Sequence, residues 1–121
     1  MTAPALNPSS EIVTFDVSRT DTSAAVHAAG EIDSTSAPLL SKHLADMLDS
    51  DVRELTVDLR GVSFLDSAGL CVLATVHRRA VRQDVQMRVL ASSRAVVRPL
   101  QITGLWDLLR AEHVVDAGQV A

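Results

Sequence analysis

A serine preceded by a carboxylate and followed by two small residues, Asp66-Ser67-Ala68-Gly69, stands where the hydrophobic spacing of the chain changes. Before it, Leu55, Val57 and Leu59 alternate with Thr56 and Asp58, the period of a strand, and Arg60-Gly61 ends that run with turn chemistry. After it, Leu70, Leu73, Val76, His77 and Ala80 recur at threes and fours, the spacing of a helix with one apolar face. The first N–H groups of a helix lack partners, so Asp66 and Ser67 both suit the N-cap. A hydroxyl held there lies in the field of the helix dipole, beside free N–H groups that tolerate an added phosphate. Asp33-Ser34-Thr35 offers a second carboxylate with hydroxyls ahead of a helix, suited to capping or to a solvated turn.

Other chemistries fail on spacing. His27, His43, His77 and His113 form no i, i+4 pair and have no neighbouring cysteine, which excludes a zinc site. Ser67 lacks the G-x-S-x-G of a hydrolase elbow and has no recognisable base or oxyanion arrangement. Neither a P-loop nor G-x-G-x-x-G occurs, so no nucleotide site and no cofactor is expected. No enzyme is expected, since none of these motifs supplies a catalytic centre. Asp58 reads as a structural carboxylate at a strand end, Cys71 as a small buried hydrophobe, and Trp106 as a core anchor for the C-terminal segment.

The elements that must hold these residues follow in order. Val13, Phe15 and Val17 alternate with polar residues as in a half-buried strand, and Ala24 to Ala29 form a second, antiparallel one. Gly30-Glu31-Ile32-Asp33 leaves that strand. A helix over 37–49 turns Leu40, Leu44, Met47 and Leu48 inward, and the helix that begins at Ser67 runs to about Gln83. Gln83-Asp84 then makes a turn, and a strand follows over 86–91. Ser92-Ser93 caps a third helix to Gln101, with Gly104 beyond its end; a short element begins at Trp106, and His113-Val114-Val115 suits a brief edge pairing. This order predicts an α/β domain over 11–116, with a mixed four- to five-stranded sheet and helices mainly on one side. Residues 1–10, with two prolines, read as a flexible tail, and 117–121 as a C-terminal tail.

At 121 residues the chain can bury about two-thirds of its unfolded surface without staples. A net charge of −4, with no basic cluster beyond Arg78-Arg79 and Arg82, excludes nucleic acid as a partner. The N-terminus lacks the plan of a signal peptide, no stretch is long enough to span a bilayer, and a single cysteine suits a reducing cytoplasm.

VDLRGVSFLDSAGLCVL closely resembles the signature of the STAS domain, in particular the anti-sigma-factor antagonists of bacterial partner-switching pathways. Two further family elements stand in family order, Gly30-Glu31-Ile32-Asp33 and Gly104-Leu105-Trp106-Asp107, and the resemblance covers roughly Ile12 to Asp116. It departs from the family only at Cys71, where a smaller residue is common, and at Asp84, where glycine is common, so the resemblance implies a left-handed conformation at Asp84, which an aspartate tolerates imperfectly. The resemblance implies a phosphoacceptor at Ser67, modified by an anti-sigma factor that is itself a serine kinase and supplies the ATP. It implies a partner surface of Asp33, Ser34, Thr35, Asp66, Ser67, Ala68 and Gly69, and a PP2C-type phosphatase that resets the switch. In that circuit the unphosphorylated form captures the anti-sigma factor and frees a sigma factor. A non-switching STAS adaptor, in a lipid-transport ABC system or a stressosome-type assembly, is the alternative.

Overall fold

The computed structural model describes residues 13–114, so the tails expected at 1–10 and 117–121, and Val115, lie outside the described residues. The elements are β1 (Thr14–Arg19), β2 (Ser23–Ile32), α1 (Ala37–Leu48), β3 (Glu54–Leu65) and α2 (Ser67–Arg82). After them come β4 (Gln86–Ala91), α3 (Arg94–Ile102), α4 (Leu105–Leu108) and β5 (Ala111–His113). The strands lie in chain order in one five-stranded sheet. β1 is antiparallel to β2 and every other neighbouring pair is parallel, which makes the sheet mixed.

One face of the sheet is apolar because alternate residues point to it: Ala24, Val26 and Ala28 from β2, Leu55, Val57 and Leu59 from β3, Met87, Val89 and Ala91 from β4. Leu40, Leu44 and Leu48 of α1, Leu73, Val76 and Ala80 of α2, and Val96 and Leu100 of α3 close over it. Phe15 of β1 reaches the same layer, its ring 4.9 Å from that of His43 on α1. The opposite face is polar. There Ser18 Oγ lies 3.1 Å from His27 Nε2, His27 Nδ1 lies 2.7 Å from Asp58 Oδ2, and the Arg60 guanidinium donates to both Asp58 oxygens at 2.9 and 2.8 Å.

Both central strands are longer than expected. β2 does not end before Gly30 but continues to Ile32, with Gly30 at φ 103°. β3 does not turn at Arg60-Gly61 but continues to Leu65, and its register against β2 slips twice, between His27 and Ala29 and between Gly30 and Glu31. Gly61 serves close approach and not a turn: a Cβ there would lie 2.9 Å from the Ala29 Cβ and 3.1 Å from the Ala28 carbonyl oxygen. Three other expectations are corrected. β1 is less buried than its alternation suggests, since only Phe15 in that strand is partly covered and Val17 is 41% exposed. Cys71 is exposed, because the buried face of α2 runs through Gly69, Leu73, Val76 and Ala80, and Cys71 falls between these stripes. Leu109 is the fully enclosed anchor of the C-terminal segment, while Trp106 is only partly buried against the core. Asp84 does take the left-handed conformation, at φ 62°, as does Arg110 at φ 53°.

Gly61→Ala forces two backbones apart, so it is expected to lower unfolding stability by about 1–3 kcal/mol in urea titrations. A loss below about 0.5 kcal/mol, the scatter of neutral surface changes, would show that β2 and β3 have slack there.

Candidate functional site

Asp66 settles the capping question. Its backbone is extended, at φ −99° and ψ −172°, and its Oδ1 accepts from the N–H groups of Ala68 at 2.9 Å and Gly69 at 3.2 Å. Ser67 is therefore the first residue of α2 and not its cap. Its side chain is exposed, and its hydroxyl makes no hydrogen bond among the described residues. One expectation changes with this: the N–H groups of Ala68 and Gly69 are already occupied, so a phosphate on Ser67 would face solvent at the positive end of α2 instead of burying itself in free amides. Gly69 is buried, and a Cβ there would lie 2.4 Å from Leu65 Cδ1 and 3.0 Å from Ile32 Cγ2. It seats the helix on the sheet and presents no surface to a partner, a correction to the expected docking set. Ala68, partly buried against the core, contributes little more.

The second loop is organised by Asp33. Its Oδ1 accepts from Thr35 N–H at 2.9 Å, Thr35 Oγ1 at 2.7 Å and Ser36 N–H at 3.1 Å, while its carbonyl accepts from Ala37 N–H at 2.8 Å. Hydrogen bonds from the Thr35 hydroxyl and from the Thr35 and Ser36 amides hold the Asp33 carboxyl below its usual value. Ser34 and Thr35 are exposed beside it. Ser36, one of several possible caps by sequence, stands at the N-cap of α1 without a side-chain capping bond and is buried; its hydroxyl donates to the Glu31 carbonyl at 3.0 Å and accepts from Asp33 N–H at the same distance. The run Ser34-Thr35-Ser36 offers three similar hydroxyls, and nothing local marks which one turns inward.

These loops are neighbours. Ile32 pairs with Leu65 at the carboxyl ends of β2 and β3, and Asp66 N–H donates to the Ile32 carbonyl at 3.1 Å. The Asp33 and Ser67 segments thus leave adjacent parallel strands side by side, at the edge where α/β sheets commonly carry their sites.

Residues 14–117 match the profile of the STAS domain. The chain belongs to the STAS domain family. An anti-sigma-B factor antagonist of Bacillus subtilis (strain 168) is 31% identical over 106 residues, covering 88% of this chain and 96% of that protein. A crystal structure of an anti-sigma factor antagonist from Mycobacterium paratuberculosis superposes with a TM-score of 0.78 at 30% identity, over 87% of this chain and 89% of that one. SpoIIAA shares the fold in its unphosphorylated form (TM-score 0.72, 17% identity) and in the phosphorylated form from Bacillus (TM-score 0.67, 16% identity). Those matches cover 88% of this chain and 93% and 96% of the respective SpoIIAA chains, and at such identity the likeness is one of fold. The relatives are named for a regulatory binding role, and this STAS domain is likewise a binding module and not an enzyme.

Elsewhere in the STAS domain, Asp58 is 5% exposed and lies within β3, not at its end. Burial alone would raise its pKa, but hydrogen bonds from the Arg60 side chain and backbone and from His27 outweigh that and hold it at about 2. The carboxylate is structural. Among the described residues no group of three or more His, Cys, Asp or Glu is placed to hold a metal ion, and no helix is long and apolar enough to cross a membrane.

Because the folded pKa of Asp58 lies below its ordinary 3.8, its stabilisation is complete above about pH 4 and is lost as pH falls toward 2. The stability gap between wild type and Asp58→Asn, from urea titrations, should be widest near pH 6 and shrink toward pH 2. A gap that stays constant with pH would contradict the charged array. Asp66→Ala should lower stability by about 1 kcal/mol, through loss of the cap alone.

Proposed function

We propose that this STAS domain is an anti-sigma-factor antagonist: unphosphorylated, it binds an anti-sigma factor that is a serine kinase and so releases a sigma factor; phosphorylation of Ser67 ends the association. The observation that carries this reading is the Ser67 hydroxyl, exposed and without a hydrogen bond among the described residues at the start of α2, with Asp66 holding the cap. A serine needed for capping cannot be modified without loosening its helix; this one can. The names of the relatives at about 30% identity support the same role.

The geometry also supports the proposed sign of the switch. A phosphoserine carries about −1.5 to −2 charges, and the positive end of α2 accepts that charge without loss of a core contact. A partner covering the loop meets it differently. At about 8 Å from a single partner carboxylate, a dianion is opposed by about 2–4 kcal/mol at effective dielectrics between about 40 and 20. That weakens association roughly thirty- to a thousandfold, before the cost of desolvating a phosphate against the exposed ring of Phe64. The docking surface comprises Asp33, Ser34, Thr35, Asp66 and Ser67, with Ala68 and Gly69 shaping it from beneath. A PP2C-type phosphatase would restore the binding form.

The decisive experiment incubates the protein with the candidate kinase and ATP and locates an adduct of about 80 Da by peptide mass spectrometry. It should fall on Ser67 and vanish in Ser67→Ala. In titrations, Ser67→Ala should bind the kinase as the unmodified protein does and Ser67→Asp should bind it more weakly, with unchanged melting temperatures; equal affinities would remove the switch. Asp33→Asn keeps an acceptor for Thr35 and Ser36 while removing charge, so it should stay folded and dock more weakly. Unaltered docking would leave Asp33 as an organiser of its own loop.

A further inference from the structure

Beside the Ser67 loop the molecule carries an apolar groove of about 510 Å³ between the end of β3 and α3, lined by Phe64, Leu65, Ala95, Pro99 and Ile102. Phe64 is 44% and Ile102 72% exposed. Two features distinguish this groove from incidental surface. α3 buries Val96 and Leu100 in the core, and Ala95, Pro99 and Ile102 form a second apolar stripe at i, i+4 and i+7 on another side of the helix. A helix that needs only to cover a sheet requires one such stripe. The groove also includes Arg94 and Arg98, one turn apart, in a chain of net charge −4. Neither arginine makes an ion pair or a side-chain hydrogen bond among the described residues, so both guanidinium groups are available to a carboxylate from outside.

We infer that this groove is a docking site for an amphipathic helix of the protein partner, one with apolar side chains at i, i+4 and i+7 and a flank of carboxylates. Apolar anchors settle between Phe64 and Ile102, and the carboxylates meet Arg94 and Arg98. This is the helix-in-groove mode of recognition, in which apolar area supplies affinity and the rim charges fix orientation and reject basic segments. Phe64 and Leu65 lead directly into Asp66 and Ser67, so a partner helix lying here borders the proposed phosphoacceptor. The assignment rests on the proposed antagonist function only for whose helix this is; the chemistry of the groove does not depend on it.

The probe is a synthetic helical peptide of about five turns, with leucines at that spacing and glutamates along one flank, and a twin carrying lysines in their place. Amide shifts of the full-length protein should move at Phe64, Arg98 and Ile102 with the acidic peptide. From two rim ion pairs, the acidic peptide should bind about two- to thirtyfold tighter than its twin. Arg94→Glu with Arg98→Glu should reverse that preference, and Ile102→Ser should weaken both peptides; matched melting temperatures establish that both variants fold. Equal affinity for the two peptides, shifts confined to other surfaces, or no binding at about 1 mM would overturn the assignment. No kinase enters this titration, so a failed phosphorylation switch and a failed groove are separate results.

Discussion

Because β2 and β3 run parallel and pair Ile32 with Leu65 at their carboxyl ends, the segments that follow them must leave the sheet next to each other. The hydrogen bond from Asp66 N–H to the Ile32 carbonyl fixes how closely. Everything chemically interesting at this edge inherits that placement. Asp33 can order its own loop without reaching for Ser67, and Asp66 can cap α2 without reaching for Asp33. Two independently built turns are thereby presented as one surface.

Seating α2 on this pair requires Gly69. With a side chain there, Leu65 and Ile32 would have to retreat, and the helix start that carries Ser67 would lift with them. Gly61 performs the same service one step earlier, letting the slipped β2–β3 register stay close-packed. The glycines around the signature thus act through what lies beneath the surface, while the hydroxyl acts above it. A modification at Ser67 changes charge where no packing depends on it, which is what a reversible signal on a small domain needs.

The strand-to-helix transition at Ser67 and the inward faces of the helices were readable from residue spacing; the left-handed turn at Asp84 was readable only from the glycine that the family commonly carries there. So was the proximity implied by Gly30-Glu31-Ile32-Asp33, though only through family resemblance. What misled was local chemistry with more than one use. Arg60-Gly61 looks like a turn because glycine serves turns, yet here it serves strand contact, and the atoms that demand it belong to Ala28 and Ala29. Asp66 and Ser67 are interchangeable caps in sequence; only the extended backbone at Asp66 decides between them. Cys71 follows a helical stripe by composition but sits off the stripe by angle. The groove beside α3 was invisible for a similar reason, since a second apolar stripe on a helix already buried by its first reads as more core.

The exposure of Cys71 has a practical consequence. It is the sole cysteine of the chain and stands at i+4 from Ser67, one turn along the same side of α2. A thiol-directed fluorophore would therefore attach at one position without any engineering of the sequence, close enough to Ser67 to register a protein approaching that loop by quenching or anisotropy. The protein carries its own attachment point for following binding at this edge in real time.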